Sequence, residues 1–209
     1  MFSKNVLAAL TSLLLPLCMA AQEDSAALVR QAESYRQRGE LDGAEAAYRR
    51  AVEADPKNVR ALLPLALILD GNGKREEASA LYQRVLGVEA ENPIALNNLA
   101  YLMAEAGKDL DAALEMAQKA RRQWPEMAEL VDTVGWILIK KNLGKDAVTL
   151  YGPVVVENPE NGSYHYHFGI ALLQTGDKAG AARELKLATE NDLPVDDDRR
   201  ARELLKSLN

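Results

Sequence analysis

Residues 25–58 read SAALVRQAESYRQRGELDGAEAAYRRAVEADPKN, and the spacing of small and bulky side chains in this stretch decides the fold. The next 34 residues, 59–92, repeat the arrangement as VRALLPLALILDGNGKREEASALYQRVLGVEAEN. The eighth and twentieth positions of both segments hold alanine: Ala32, Ala66, Ala44 and Ala78. Because side chains this small let helices approach closely, each segment is predicted to form two packed α-helices.

The same unit recurs along most of the chain. Further copies cover 93–127, which has one extra residue, 128–161 and 162–195. The fifteenth position, where a first helix is expected to stop and turn, holds glycine in four copies: Gly39, Gly73, Gly107 and Gly176. Near the end of three copies stands a proline, which lacks the N–H that would continue a second helix: Pro56, Pro125 and Pro159.

This pattern resembles the tetratricopeptide repeat (TPR) family, whose unit is a helix-turn-helix of 34 residues. The resemblance covers residues 25–195 and implies an all-α fold, a right-handed solenoid of five helix hairpins. Residues 196–209 are predicted to form a capping helix, because their leucines recur at helical spacing and a repeat stack leaves its last apolar face open.

Composition supports an ordered protein and excludes some classes of function. The sequence is 48% hydrophobic and 27% charged, which argues against disorder. Its 25 basic residues are outnumbered by 31 acidic ones, and no basic block stands out. A nucleic-acid partner is therefore not expected.

The N-terminus has the pattern of a secretory signal peptide over residues 1–20. Lys4 precedes an apolar run from Val6 to Leu17, and Ala20 is a suitable cleavage residue. The run is shorter than the roughly 20 apolar residues of a membrane-spanning helix. A periplasmic or secreted location is predicted.

Cys18 leaves a second interpretation of the N-terminus open. A bacterial lipoprotein signal ends in a cysteine that becomes lipidated, although bulky Leu17 departs from the small residue usually found before it. Lipidation would make the chain a lipid-anchored outer-membrane assembly factor, similar to a pilotin.

Motifs for catalysis or cofactor binding are missing from the sequence. The phosphate-binding, dinucleotide, zinc-protease and nucleophile-elbow patterns do not occur. His165 and His167 lie two residues apart and so do not share a helix face; packing is expected for His165 and exposure for His167. No catalytic residue, metal ligand or cofactor is predicted, and a metal or catalytic role of the two histidines is the open alternative.

The TPR resemblance implies that the first helices line a concave groove that binds a peptide or helix of a protein partner, within an assembly or export system of the cell envelope. Positions 2, 5, 9, 12 and 13 share one stripe of a first helix. The candidate partner-binding residues on this stripe are Arg36, Arg60, Asn97, Tyr101, Asp132, Trp136, Lys140 and Tyr166. Its aromatic rings have two interpretations: anchors for a partner, or packing against a neighbouring helix.

Overall fold

The computed structural model describes residues 24–208, which form an all-α chain. The helices in this range are α1 (Ser25–Gln37), α2 (Leu41–Ala54), α3 (Val59–Gly71), α4 (Arg75–Val88), α5 (Pro93–Glu105), α6 (Leu110–Gln123), α7 (Ala128–Lys140), α8 (Gly144–Glu157), α9 (Gly162–Thr175), α10 (Lys178–Glu190) and α11 (Val195–Leu208). The predicted fold class, an all-α series of helix hairpins, is confirmed. The predicted signal peptide and Cys18 lie outside the described residues.

Backbone contacts divide the chain into two compact units, Met1–Ala61 and Leu62–Asn209. In the described part of the first unit, α1 and α2 pack as a hairpin around Tyr48, which is fully buried. Ser25 Oγ donates a hydrogen bond to the carbonyl of Ala51 at 2.8 Å, and Asn58 Nδ2 donates to Ser25 Oγ at 2.8 Å. These bonds tie the start of α1 to the end of α2.

In the second unit, each helix from α4 to α10 packs against the next one along the chain. In addition, α5 contacts α7 directly, and α7 contacts α9. First helices of successive repeats are therefore neighbours. The core between them is built from Ala100, Ala117, Val134, Ile137 and Tyr151, among others. Small residues on one helix leave room for a large side chain on the next.

Helix α11 covers the open side of the last hairpin. Its residue Ala201 is fully buried with Leu185 and Ala188 of α10, and Leu204, Leu205 and Leu208 pack against the same cluster. The acidic residues at its start favour a helix N-terminus, where the helix dipole is positive.

The turns inside the hairpins use left-handed backbone, which glycine adopts without steric cost. The four glycines at the fifteenth position have φ between 63° and 86°. In the fourth repeat that position is Asn142, with φ 60°, and asparagine tolerates this conformation better than most residues. Gly144 instead begins α8, where an added Cβ would lie 2.6 Å from Cβ of Gln174.

The extra residue of the third repeat falls in the turn between α5 and α6. Asp109 adopts φ 39° there, and its carboxylate accepts a hydrogen bond from the Ala112 N–H at 3.2 Å. The inserted residue thus becomes part of the N-cap of α6, and α6 keeps the length of the other second helices.

A membrane-spanning helix is not found among residues 24–208, because no helix there has both the length and the hydropathy of a span.

Candidate functional site

The side of the second unit formed by α5, α7 and α9 carries six of the eight predicted partner-binding residues, and we call it the first-helix face. These residues are Asn97, Tyr101, Asp132, Trp136, Lys140 and Tyr166. The other two, Arg36 and Arg60, lie in the first unit and are exposed. There Arg60 pairs with Glu33 across a distance of 3.3 Å between Nη2 and Oε1.

Trp136 lies in the core beneath this face, with only 9% of its surface exposed. Its indole stacks on the imidazole of His167, with ring centroids 4.4 Å apart, and Nε1 donates to Glu105 Oε1 at 2.9 Å. The ammonium of Lys140 lies 4.6 Å from the ring centroid. Side chains of α5 and α9 thus enclose its ring, which fits the interpretation of Trp136 as packing against neighbouring helices.

Tyr166 is also enclosed and is 4% exposed. Its ring packs with Leu185 and Ala188 of α10 and with Ala201 of α11. Helix α11, which follows the last repeat, covers part of the Tyr166 ring and so makes that surface inaccessible to a partner. Of the three aromatic candidates, only Tyr101 is half-buried rather than buried.

His167 is buried, which corrects the expectation that it is exposed. Its Nδ1 lies 2.7 Å from Asp132 Oδ1, and the Tyr151 hydroxyl donates to the same carboxylate oxygen at 2.8 Å. Asp132 therefore joins α7, α8 and α9 through one carboxylate. The Asp132 carboxyl group thus has two hydrogen-bond partners inside the fold, as burial of a polar group requires.

His165 has separate partners and is buried, as packing predicts. Its Nδ1 lies 2.7 Å from Glu184 Oε2, and its Nε2 lies 3.0 Å from the carbonyl of Pro159. The two histidines thus point to different neighbours. Within residues 24–208, no three His, Cys, Asp or Glu side chains come together as metal ligands.

Glu105 is the charged centre of the first-helix face. Lys140 Nζ lies 3.1 Å from its Oε1, and Arg75 Nη1 of α4 lies 3.9 Å from its Oε2. Burial opposes ionisation of Glu105, but hydrogen bonds from Trp136 and Lys140 outweigh it and lower the pKa of the carboxyl. The ionised carboxylate therefore stabilises the folded state.

Replacing Glu105 with glutamine is expected to lower the free energy of unfolding at pH 7 by about 1 kcal/mol, since it removes the partly buried ion pairs with Lys140 and Arg75. Because the folded-state pKa is below the ordinary value of 4.5, this contribution is present above that pH and disappears as the pH falls further. Urea unfolding of both proteins at pH 7 and pH 3.5 measures it. A difference that grows on acidification would contradict the assignment.

Two further polar side chains of the face, those of Asn97 and Tyr101, lie on the same helix as Glu105. Asn97 Oδ1 is buried and has no hydrogen-bond partner within residues 24–208, although the residue as a whole is half-buried. Burial, together with the negative charge of Glu105, raises the pKa of Tyr101 to about 12, so its hydroxyl keeps its proton. Outside the first-helix face, burial also raises the pKa of Asp70 on α3 and of Asp197 on α11.

Sequence reasoning missed the partners that hold these side chains. His167 meets Asp132 across 35 positions, and Trp136 meets Glu105 across 31. Both separations are close to one repeat, because neighbouring first helices bring equivalent positions together. A hydrogen-bond donor on one first helix and an acceptor about one repeat away were the signal in the sequence that could have predicted these contacts.

Comparisons with known proteins agree with this architecture. A tetratricopeptide repeat family model matches residues 35–100, and a second tetratricopeptide repeat model matches residues 8–59 and 135–192. No curated protein matches the sequence.

Solved structures share the fold at low sequence identity. YrrB, described as a TPR protein with an unusual peptide-binding site, is 18% identical, with a TM-score of 0.67 over 88% of this chain and 94% of its own. MamA of Desulfovibrio magneticus RS-1 is 18% identical, with a TM-score of 0.67 over 81% and 96%. PilF of Pseudomonas aeruginosa is 18% identical, with a TM-score of 0.63 over 88% of each chain.

Proposed function

Because the chain belongs to the tetratricopeptide repeat family, we propose that it is a non-catalytic scaffold that binds a segment of a partner protein on the first-helix face. The family fold indicates protein–protein interaction in general. The observation that carries the specific site is the pair Asn97 and Tyr101, two half-buried polar side chains one turn apart on α5.

Asn97 has the chemistry to bind a peptide backbone. A carboxamide offers both a donor and an acceptor, the two groups that an extended peptide presents at every residue. Asn97 Oδ1 has no hydrogen-bond partner within the described residues, so it is available as an acceptor for a ligand N–H. Binding would then satisfy an acceptor that the free protein leaves unsatisfied, which favours the complex.

Tyr101 supplies apolar area beside this amide. It lies four residues after Asn97, so both side chains point to the same side of α5. Tyrosine contributes a rigid ring and a hydroxyl donor, a combination enriched at binding hot spots. The peptide-binding site described for YrrB, which shares the fold, supports a peptide as the ligand class.

The proposed partner is a protein of the cell envelope, in line with the signal peptide expected over residues 1–20. Mass spectrometry of the mature N-terminus separates the two proposed forms. A first residue of Ala21 supports a periplasmic or secreted scaffold, and a diacylated Cys18 supports the lipid-anchored assembly factor instead.

Replacing Asn97 and Tyr101 together with alanine is expected to reduce partner capture from envelope extracts at least tenfold, while circular dichroism shows unchanged helicity. Each side chain is half-buried, so its loss is expected to cost less stability than the loss of a fully buried side chain. Gln118→Ala, at an exposed position of α6, is the matched control and should capture normally. Equal capture by the double variant and the control would refute this face as the binding site.

A further inference from the structure

An open cleft of about 960 Å³ lies between two turns of the second unit, away from the residues of the first-helix face. We call it the edge cleft. One turn joins α8 to α9 and the other joins α10 to α11. Its lining includes Glu157, Pro159, Glu160, Asp192, Leu193 and Val195.

The two turns are held together closely, so the cleft is preformed. Asn161 and Asp192 form an isolated parallel β-bridge. A Cβ added to Gly162 would lie only 2.5 Å from the Asp192 carbonyl oxygen, so the contact requires glycine. The Asn161 side chain also accepts a hydrogen bond from the Tyr164 N–H at 3.1 Å. Binding in a preformed cleft has a smaller ordering cost.

One wall of the edge cleft is apolar and open to solvent. Val195 is 83% exposed, and it continues from Leu193 and Pro194. Pro159 supplies apolar surface on the opposite turn. An exposed apolar surface inside a cleft with a polar rim is a feature of interaction sites.

The rim of the edge cleft is negatively charged. Glu157, Glu160 and Asp192 line it, and no lysine or arginine does. Among the ion pairs formed by residues 24–208, none includes these three carboxylates. Because three carboxylates and no basic side chains line the cleft, it favours a positively charged ligand.

We propose that the edge cleft binds a basic segment of a second protein, in which an apolar side chain is flanked by Lys or Arg. The apolar side chain packs on Leu193, Pro194 and Val195. Because Lys and Arg stems are long and flexible, their charged ends reach the carboxylates of Glu157, Glu160 and Asp192. Charge complementarity decides the partner, and the apolar wall adds affinity that charge alone does not give.

Labelled synthetic peptides test this proposal by fluorescence anisotropy with the full chain. Lys-Leu-Lys-Val-Lys-Leu is expected to bind at least tenfold more tightly than Glu-Leu-Glu-Val-Glu-Leu, which has the wrong charge. It should also bind more tightly than Lys-Ser-Lys-Ser-Lys-Ser, which lacks the apolar side chains. Equal binding of the two lysine peptides, or no binding of the first, overturns the proposal.

Variants then locate the peptide. Glu160→Gln combined with Asp192→Asn, and separately Val195→Ser, should each weaken binding of the basic apolar peptide at least fivefold. Their matched controls are Glu126→Gln and Val88→Ser, which replace an exposed residue of the turn before α7 and an exposed residue at the end of α4. Cleft variants that bind as the controls do would overturn the proposal. Loss of binding only in Glu105→Gln would also overturn it, by moving the peptide to the first-helix face and leaving the proposed function standing.

Discussion

Replacing Trp136 with alanine is expected to lower the free energy of unfolding by about 3–5 kcal/mol. The indole is 9% exposed, so its removal leaves a cavity between α5, α7 and α9. The change also removes the stacking on His167 and the hydrogen bond that the indole N–H donates to Glu105. Glu105 keeps Lys140 as a partner, but the loss of one donor to its partly buried carboxylate adds to the cost.

Trp124→Ala is the matched control for this prediction. Trp124 follows the end of α6 and is 41% exposed, so its loss should change the free energy of unfolding by less than about 1 kcal/mol. Urea unfolding followed by circular dichroism measures both variants. Similar midpoints for the two would show that Trp136 does not belong to the core.

Replacing Gly135 with alanine is expected to destabilise the protein by about 2 kcal/mol, although alanine is the better helix former. An added Cβ would lie 2.6 Å from Cε2 of Tyr151, which is fully buried. The ring cannot move aside, because its hydroxyl is bonded to Asp132 at 2.8 Å. Overpacking therefore exceeds the gain in helix propensity, which is at most about 1 kcal/mol.

Gly87→Ala separates these two effects. Gly87 lies in α4, and an added Cβ there would meet nothing within 4 Å. Only the propensity term applies, so this variant should be more stable by up to about 1 kcal/mol. Thermal melts of both variants give opposite signs if packing explains Gly135. A stabilised Gly135→Ala protein would contradict the close contact with Tyr151.

The local features of the fold could be predicted from the sequence because they depend on residues within one repeat. Glycine at the fifteenth position predicted the turns after α1, α3, α5 and α9, and φ is positive at each of these glycines. Alanine at the eighth position predicted close packing of the helices. The turn of the fourth repeat was not recognised from the glycine pattern, because Asn142 stands at its fifteenth position.

The contacts of the first-helix face could not be predicted in the same way. A stripe of residues on one helix does not show whether the next first helix covers it. Trp136 and Tyr101 occupy the same repeat position, yet Trp136 is enclosed by His167 whereas Tyr101 stays half-buried. Burial at this position is set by side chains one repeat away.

The proposed scaffold function requires that a protein partner binds the first-helix face. A photoreactive p-benzoylphenylalanine placed at position 101 and, separately, at position 115 on α6 tests it most directly in living cells. Both positions accept a large side chain, but only position 101 belongs to the face. We expect a crosslinked partner from position 101 and none from position 115. A crosslink to the same partner from position 115 alone would contradict it.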